Sequence, residues 1–204
     1  MAGTTLASAL PMFNDLSSPA ALMATRRSGK PRLMTAPGPA PDQLDRILGA
    51  AIRVPDHGKL GPWRFVVVPA DKRYALANLL HAAAADLPDE AKQPDYDAVE
   101  EFARQAPCLI VALSCPVHGS HIPVWEQELS AGAACMNLLV AAHAEGFVGS
   151  WLTGWASTSP RVLQALGGRQ GDRIAGFFYI GTPGRALDER PRPRRDAVIS
   201  TWEG

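Results

Sequence analysis

Cysteine is scarce: Cys108, Cys115 and Cys135 are the only three in 204 residues. An odd number without C-x-x-C spacing is neither a disulfide framework nor a zinc site, and reduced thiols in a cytosolic protein are the simpler expectation. Net charge is also missing. Twenty Lys and Arg offset twenty Asp and Glu, which argues against a chain-wide attraction to nucleic acid or an anionic membrane while leaving room for a local basic pocket that holds one phosphate. Long uninterrupted apolar runs are absent too. The most apolar stretch, Leu129 to Val148, contains Ser130, Asn137, His143 and Glu145 among many Ala and Gly residues. That pattern suits a buried or subunit-interface helix better than a membrane span. Residues 1–10 carry neither a basic cluster nor a sustained hydrophobic run, so no secretory leader is expected and a cytoplasmic location is.

Several motifs are missing as well. No G-x-G-x-x-G follows a strand and opens a helix, and there is no P-loop, H-E-x-x-H or G-x-S-x-G. The usual routes to dinucleotide binding on a Rossmann fold, to NTPases, to zinc proteases and to α/β-hydrolases are therefore unsupported. Any nucleotide-like cofactor must be held another way. His118 and His121 resemble a metal pair but lack Cys or carboxylate partners at useful spacing, so no metal site is expected.

What is present reads as one domain of mixed helices and strands. Helices are expected from Leu16 to Arg27, from Pro41 to just before Val54-Pro55, from Asp71 to Asp86, from Asp95 to Arg104, from Val124 to Glu145 and from Pro160 to Leu166. Phe65 to Val68, Cys108 to Leu113 and Gly176 to Gly181 read as strands, and Gly149 to Gly154 as a short strand and turn. The continuous apolar runs imply a sheet covered on both faces, hence an α/β or α+β sandwich. Residues 1–15 read as a loose extension, 16–184 as the folded domain, and 185–204, rich in Arg and Pro from Arg185 to Arg195, as a solvated arm.

Four segments carry chemistry. Thr25-Arg26-Arg27-Ser28 offers two guanidiniums and a hydroxyl to a phosphate or a polyhydroxyl chain, and equally fits a solvated basic helix end. Arg53-Val54-Pro55-Asp56-His57-Gly58-Lys59-Leu60-Gly61-Pro62-Trp63 crowds charged groups into a loop between a helix and a strand, where Asp56 could equally just cap a turn. Trp125-Glu126-Gln127-Glu128-Leu129-Ser130-Ala131-Gly132 opens the long helix with acidic and then small residues, suited to a close-packed subunit interface. Gly146-Phe147-Val148-Gly149-Ser150-Trp151-Leu152-Thr153-Gly154 combines glycines that admit a flat ring with an apolar wall and a hydroxyl, or is simply a glycine-rich turn.

In this order and spacing, these pieces resemble the nitroreductase family, and within it the short YdjA-like branch of NAD(P)H nitroreductases. Pro123-x-Trp125-Glu126-Gln127-Glu128-x-Ser130 and Gly181-Thr182-Pro183 strengthen the likeness, which spans about Leu16 to Pro183. The resemblance implies an α+β three-layer sandwich, a central mixed sheet flanked by helices, and an intertwined homodimer with FMN at each of two interface sites. It implies that Arg26, Arg27 and Ser28 hold the FMN phosphate and ribityl chain. It places Arg53 and His57 on the flavin from the partner subunit, and Trp151, Leu152 and Thr153 along the isoalloxazine ring. Backbone amides of Leu152 to Gly154 would bond the ring near N5, and Arg27 is a candidate for its N1–O2 edge. Ala141 to Gly146 is linked in relatives to the nicotinamide nucleotide, and Arg185 is a candidate phosphate contact. The implied activity is ping-pong transfer of hydride from NAD(P)H, through flavin N5, to an electron-poor acceptor such as a nitroaromatic or a quinone, with no catalytic side chain required. Asp56, His57, Lys59 and Gly61 depart from the commoner Ser, Asn and Gln of the second motif, which leaves substrate preference open. A flavin store without turnover, a dehydrogenase and a flavin-degrading enzyme remain alternatives.

Overall fold

A computed structural model describes residues 13–88 and 93–204. Its central layer is one antiparallel sheet. Strand β2 (Trp63–Val68) lies at one side and pairs with β3 (Cys108–Ser114). Strand β3 pairs with the long central β5 (Arg173–Pro183), and β4 (Val148–Leu152) pairs with the other edge of β5. Two residues, Met34–Thr35, form β1 against Pro183 and Thr182. Every ladder among the described residues is antiparallel, whereas the resemblance led to the expectation of a mixed sheet. The connection between β2 and β3 shows why. Helices α3 (Arg73–Ala84) and α4 (Tyr96–Arg104) pack against each other out and back, so β3 starts beside the end of β2, with Leu109 opposite Val68.

The alternation of a pleated strand sorts the apolar side chains onto two faces. Leu109, Val111 and Leu113 of β3 join Phe177 and Tyr179 of β5 beneath α3, α4, α6 (Trp155–Thr158) and α7 (Pro160–Ala165). Ile110 and Ala112 join Phe178 and Ile180 beneath α2 (Pro41–Ala51) and α5 (Val124–Ala144). The result is the helix–sheet–helix sandwich expected from the covered apolar runs. One bulge breaks the alternation. Between Ala112 and Leu113 the register against β5 slips, and Ile174 lands on the same face as Phe177. An extra residue in one strand does this, and here it frees the backbone around Ala175 and Gly176.

The expected helices and strands are all present, with ends shifted by a few residues. Helix α1 runs only from Pro19 to Thr25, because Ser18 Oγ accepts from the Ala21 N–H and starts it there. Residues 70–72 form a short 3-10 turn before α3. Helix α5 buries Gln127, Ser130, Ala131, Ala134, Cys135, Leu138, Leu139, Ala142 and His143 at helical spacing. It turns off at Gly146, whose φ of 88° suits glycine. Among the described residues, no helix is long and apolar enough to cross a membrane.

Near each end, described residues pack back onto the domain. Residues 1–12 of the extension lie outside the described residues, but Phe13 to Asp15 fold back onto the chain after α1. The arm after Pro183 is not wholly solvated: Leu187 packs against the core and the Asp188 carbonyl accepts two bonds from Arg27. Arg27 explains this, since the residue is only 6% exposed and its guanidinium must find acceptors inside the protein. A final short helix, α8 (Arg195–Val198), is exposed.

Candidate functional site

A cleft of about 600 Å³ opens where the β4 edge of the sheet meets the chain leaving α1 and the arm beyond β5. Arg26, Arg27 and Ser28 line one side, Trp151 and Leu152 another, and Arg185 and Arg192 the arm side. Two segments more than a hundred residues apart in sequence thus meet at one place.

The cationic side is crowded. Arg26 Nη1 donates to Ser28 Oγ at 3.3 Å. Burial, and then the neighbouring guanidiniums of Arg192 and Arg27, pull Arg26 below the usual arginine range. Mutual repulsion of like charges in a concave site is relieved by an anion. Arg27 is placed differently. Its Nε and Nη2 donate to the Asp188 carbonyl at 3.0 and 2.6 Å, its Nε lies 3.1 Å from a Glu189 carboxylate oxygen, and its guanidinium sits 5.9 Å from the Phe13 ring centroid. Its head is thus engaged with the arm. Arg185 also reaches Asp188, at 3.0 Å. The Arg192 position was not singled out from the sequence, because an Arg/Pro-rich tail gives no periodicity to say which arginine turns inward.

The apolar side depends on the bulge. Trp151 Nε1 donates to the Ala175 carbonyl at 2.9 Å, and the indole lies against Gly176, where any β-carbon would overlap it. Its ring centroid is 5.2 Å from that of Phe178. Gly29 is similarly close-packed, since a β-carbon there would come within 2.8 Å of Val148 Cγ2. Thr153 is exposed in the turn after β4 and does not line the cleft.

Arg53 and His57 do not line it either; His57 belongs to a second cluster at the start of α5, and the Arg53 backbone lies farther along that helix. His57 Nδ1 lies 2.6 Å from Glu126 Oε1, Ser130 Oγ donates to the Pro55 carbonyl at 2.6 Å, and Trp63 Nε1 donates to Ser130 Oγ at 3.3 Å. Asn137 Nδ2 reaches the Arg53 carbonyl at 3.3 Å, leaving the Arg53 side chain exposed. Asp56 caps its turn through the N–H groups of Leu60 and Gly61. The second and third sequence motifs are therefore one structural unit, and the first and fourth another.

Ala141 to Gly146 sits at the end of α5. Ala142 and His143 are fully buried, so their side chains face the core. His143 Nδ1 lies 2.5 Å from the Leu139 carbonyl oxygen and Nε2 3.0 Å from that of Arg27. Two acceptors ask for two protons, but burial, the largest influence, holds the imidazole pKa below its usual value, and the charge on Arg26 pushes the same way. Burial raises all three thiols, Cys108 up to about 11 and Cys135 to about 12, while the Arg64 guanidinium partly offsets it at Cys115. His121 meets His57 edge-on, with ring centroids 6.3 Å apart. Among the described residues, no three His, Cys, Asp or Glu side chains gather as a metal site would require.

The fold is thus an α+β sandwich with a guanidinium-rich cleft, walled by a tryptophan, at its sheet edge. Comparison narrows the class. The pattern of the Nitroreductase family matches residues 23–182. The protein named "Putative NAD(P)H nitroreductase YdjA" in Escherichia coli (strain K12) is 38% identical over 164 residues, which cover 79% of this chain and 86% of that one. A protein named "Putative NAD(P)H nitroreductase" in Haemophilus influenzae is 39% identical over 162 residues with the same coverage. Among solved structures, a nitroreductase-like family protein from Bacillus cereus superposes with a TM-score of 0.77 at 21% identity, covering 96% of this chain and all of that one. A nitroreductase with bound FMN from Bacteroides fragilis superposes with a TM-score of 0.65 at 21% identity, covering 89% and 96%. The chain belongs to the nitroreductase family and is an enzyme of that family.

Proposed function

We propose that this chain is a cytoplasmic FMN-dependent oxidoreductase that works as an intertwined homodimer, oxidises NAD(P)H and reduces an electron-poor small molecule. The observation that carries this reading is the division of the four motifs into two clusters that one chain does not bring together. A two-fold axis would set the Arg53–His57 cluster of one copy against the Arg26–Trp151 cleft of the other. Helix α5 supports that pairing. Trp125 and Leu129, 61% and 63% exposed, line up along it with the half-buried Met136 and Val140, an apolar stripe that a second copy would cover. Val198, Ile199 and Trp202 at the end of the arm are also exposed and would find cover in the same way.

The cleft fits FMN in its donor set. Arg26, Ser28 and Arg192 would hold the phosphate, with Arg185 beside them, because guanidiniums match phosphate oxygens and stay charged. Arg27, fixed to the arm, would add positive potential near the ribityl chain and the N1–O2 edge of the ring. Trp151 and Leu152 would wall the isoalloxazine ring, and backbone N–H groups from Leu152 to Gly154, beside Thr153, would bond its N5 edge. Arg53 and His57 would close the site from the second copy. The arm from Gly184 to Arg192 would shield the cleft from water. FMN held there would supply the redox chemistry: ping-pong hydride transfer at N5 between NAD(P)H and an acceptor such as a nitroaromatic or quinone. No side chain need act as obligatory acid or base.

The visible absorption spectrum of the purified protein tests this directly. The expected result is a flavin spectrum that bleaches with NADPH or NADH and recovers with a nitroaromatic or quinone. A colourless protein that takes up no added FMN would refute it.

A further inference from the structure

The cation-bearing loop after α1 is held from behind by residues ahead of that helix, in a segment that precedes the family match at residue 23. Arg27 N–H donates to Asn14 Oδ1 at 2.8 Å, and Asn14 Nδ2 donates back to the Arg27 carbonyl at 3.3 Å. One side-chain amide thus grips both polar groups of one backbone residue, as a neighbouring strand would. Two backbone contacts fix the grip: Asn14 N–H donates to the Thr25 carbonyl at 3.2 Å, and Asp15 N–H donates to Thr25 Oγ1 at 2.9 Å. The Phe13 ring lies by the Arg27 guanidinium. From the core side, His143 Nε2 meets the same Arg27 carbonyl oxygen.

Asn14 itself sits at φ 55°, a left-handed conformation that asparagine tolerates better than most residues and glycine adopts freely. A turn there aims the amide at Arg27 without a long strand of its own. The consequence reaches the cleft. Arg26 and Ser28 flank Arg27, so the orientation of the Arg27 backbone decides where the Arg26 guanidinium and the Ser28 hydroxyl point. A loop free to rotate would present them in many directions and bear an ordering cost on each binding event.

From this geometry we infer that Asn14 is a positioning residue for the anion-binding loop: it fixes the Arg27 backbone so that Arg26 and Ser28 face the phosphate of the bound cofactor. This rests on the reading of the cleft as a phosphate site. It adds a determinant supplied by this chain's own segment ahead of α1.

The test compares FMN with riboflavin, which differ only in the phosphate, by fluorescence titration of the full-length apoprotein. Wild type should bind FMN at least about tenfold tighter than riboflavin, as charge-assisted contacts require. Asn14→Gly tolerates the left-handed turn and removes the side chain with its amide. It should raise the FMN dissociation constant about tenfold and leave that for riboflavin within about twofold. In an Arg26→Ala background the same change should cost clearly less than in wild type, about threefold, because only the Ser28 contact is then left to position. A purely structural role would weaken both ligands alike and add fully to Arg26→Ala. Unchanged FMN preference in Asn14→Gly, or equal loss for both ligands, would overturn the inference. A wild type that does not distinguish FMN from riboflavin would instead overturn the phosphate reading on which it rests.

Discussion

Gly176 offers a sharp test of how the fold builds the cleft wall. It lies beside the β5 bulge with the Trp151 indole laid against it, and a methyl at this position would overlap indole Nε1 and Cδ1 and come within 3.1 Å of the Leu152 carbonyl oxygen. The strand backbone cannot retreat, because β3 and β4 pair with β5 on both sides. The indole must leave. Trp151 is 37% exposed, so it swings into solvent and the core is not overpacked. The loss is one hydrogen bond to Ala175, about 0.5–1.5 kcal/mol, and the aromatic contact with Phe178, about 0.5–1.5 kcal/mol. Replacing a strand glycine by alanine returns roughly 0.5–1 kcal/mol of backbone entropy. Gly176→Ala should therefore destabilise the protein by about 1 kcal/mol in urea unfolding and weaken flavin binding through the displaced wall. The cause is separable by a double-mutant cycle. In a Trp151→Ala background the same change should be neutral or slightly stabilising. An equal cost in both backgrounds, or no cost in wild type, would refute the reasoning.

Other outcomes follow from the same geometry. Arg26→Ala should raise the FMN dissociation constant about tenfold to a hundredfold; full flavin occupancy at high salt would remove Arg26 from the phosphate site. A β-carbon on Gly132 meets nothing within 4 Å in the single chain, so Gly132→Trp should leave the monomer fold intact and disrupt the dimer in sedimentation. An unchanged dimer would reject α5 as the interface helix. Burial holds the His143 pKa below its ordinary value of 6.5. The unfolded chain therefore takes up a proton first as pH falls, so its contribution to stability is full above 6.5 and is lost as pH drops through the folded-state value. Thermal unfolding from pH 7.5 to 5 should show this loss in wild type and a smaller one in His143→Gln; identical profiles would show that His143 is not its source.

Much of the site was legible in the sequence, unevenly. The pairs Arg26-Arg27 and Trp151-Leu152 stood out as local patterns, and both line the cleft. Arg192 did not, because nothing in a proline-broken tail says which way an arginine points. Arg27 and Ser28 look equivalent to Arg26 as motif members, yet only the fold turns the Arg27 head toward Asp188 and Glu189. Asn14 lay in a segment without periodicity, and its role depends on a contact made across α1.

Strand and helix identity, the covered sheet and the likeness to a family were written in hydrophobic spacing and ordered motifs, because burial periodicity is a local property of the chain. The antiparallel pairing of every ladder among the described residues, the bulge that seats Trp151 and the separation of Arg53 and His57 from the cleft were settled only in three dimensions. Each depends on which distant segments become neighbours, and backbone groups seek whatever partner the completed fold sets beside them.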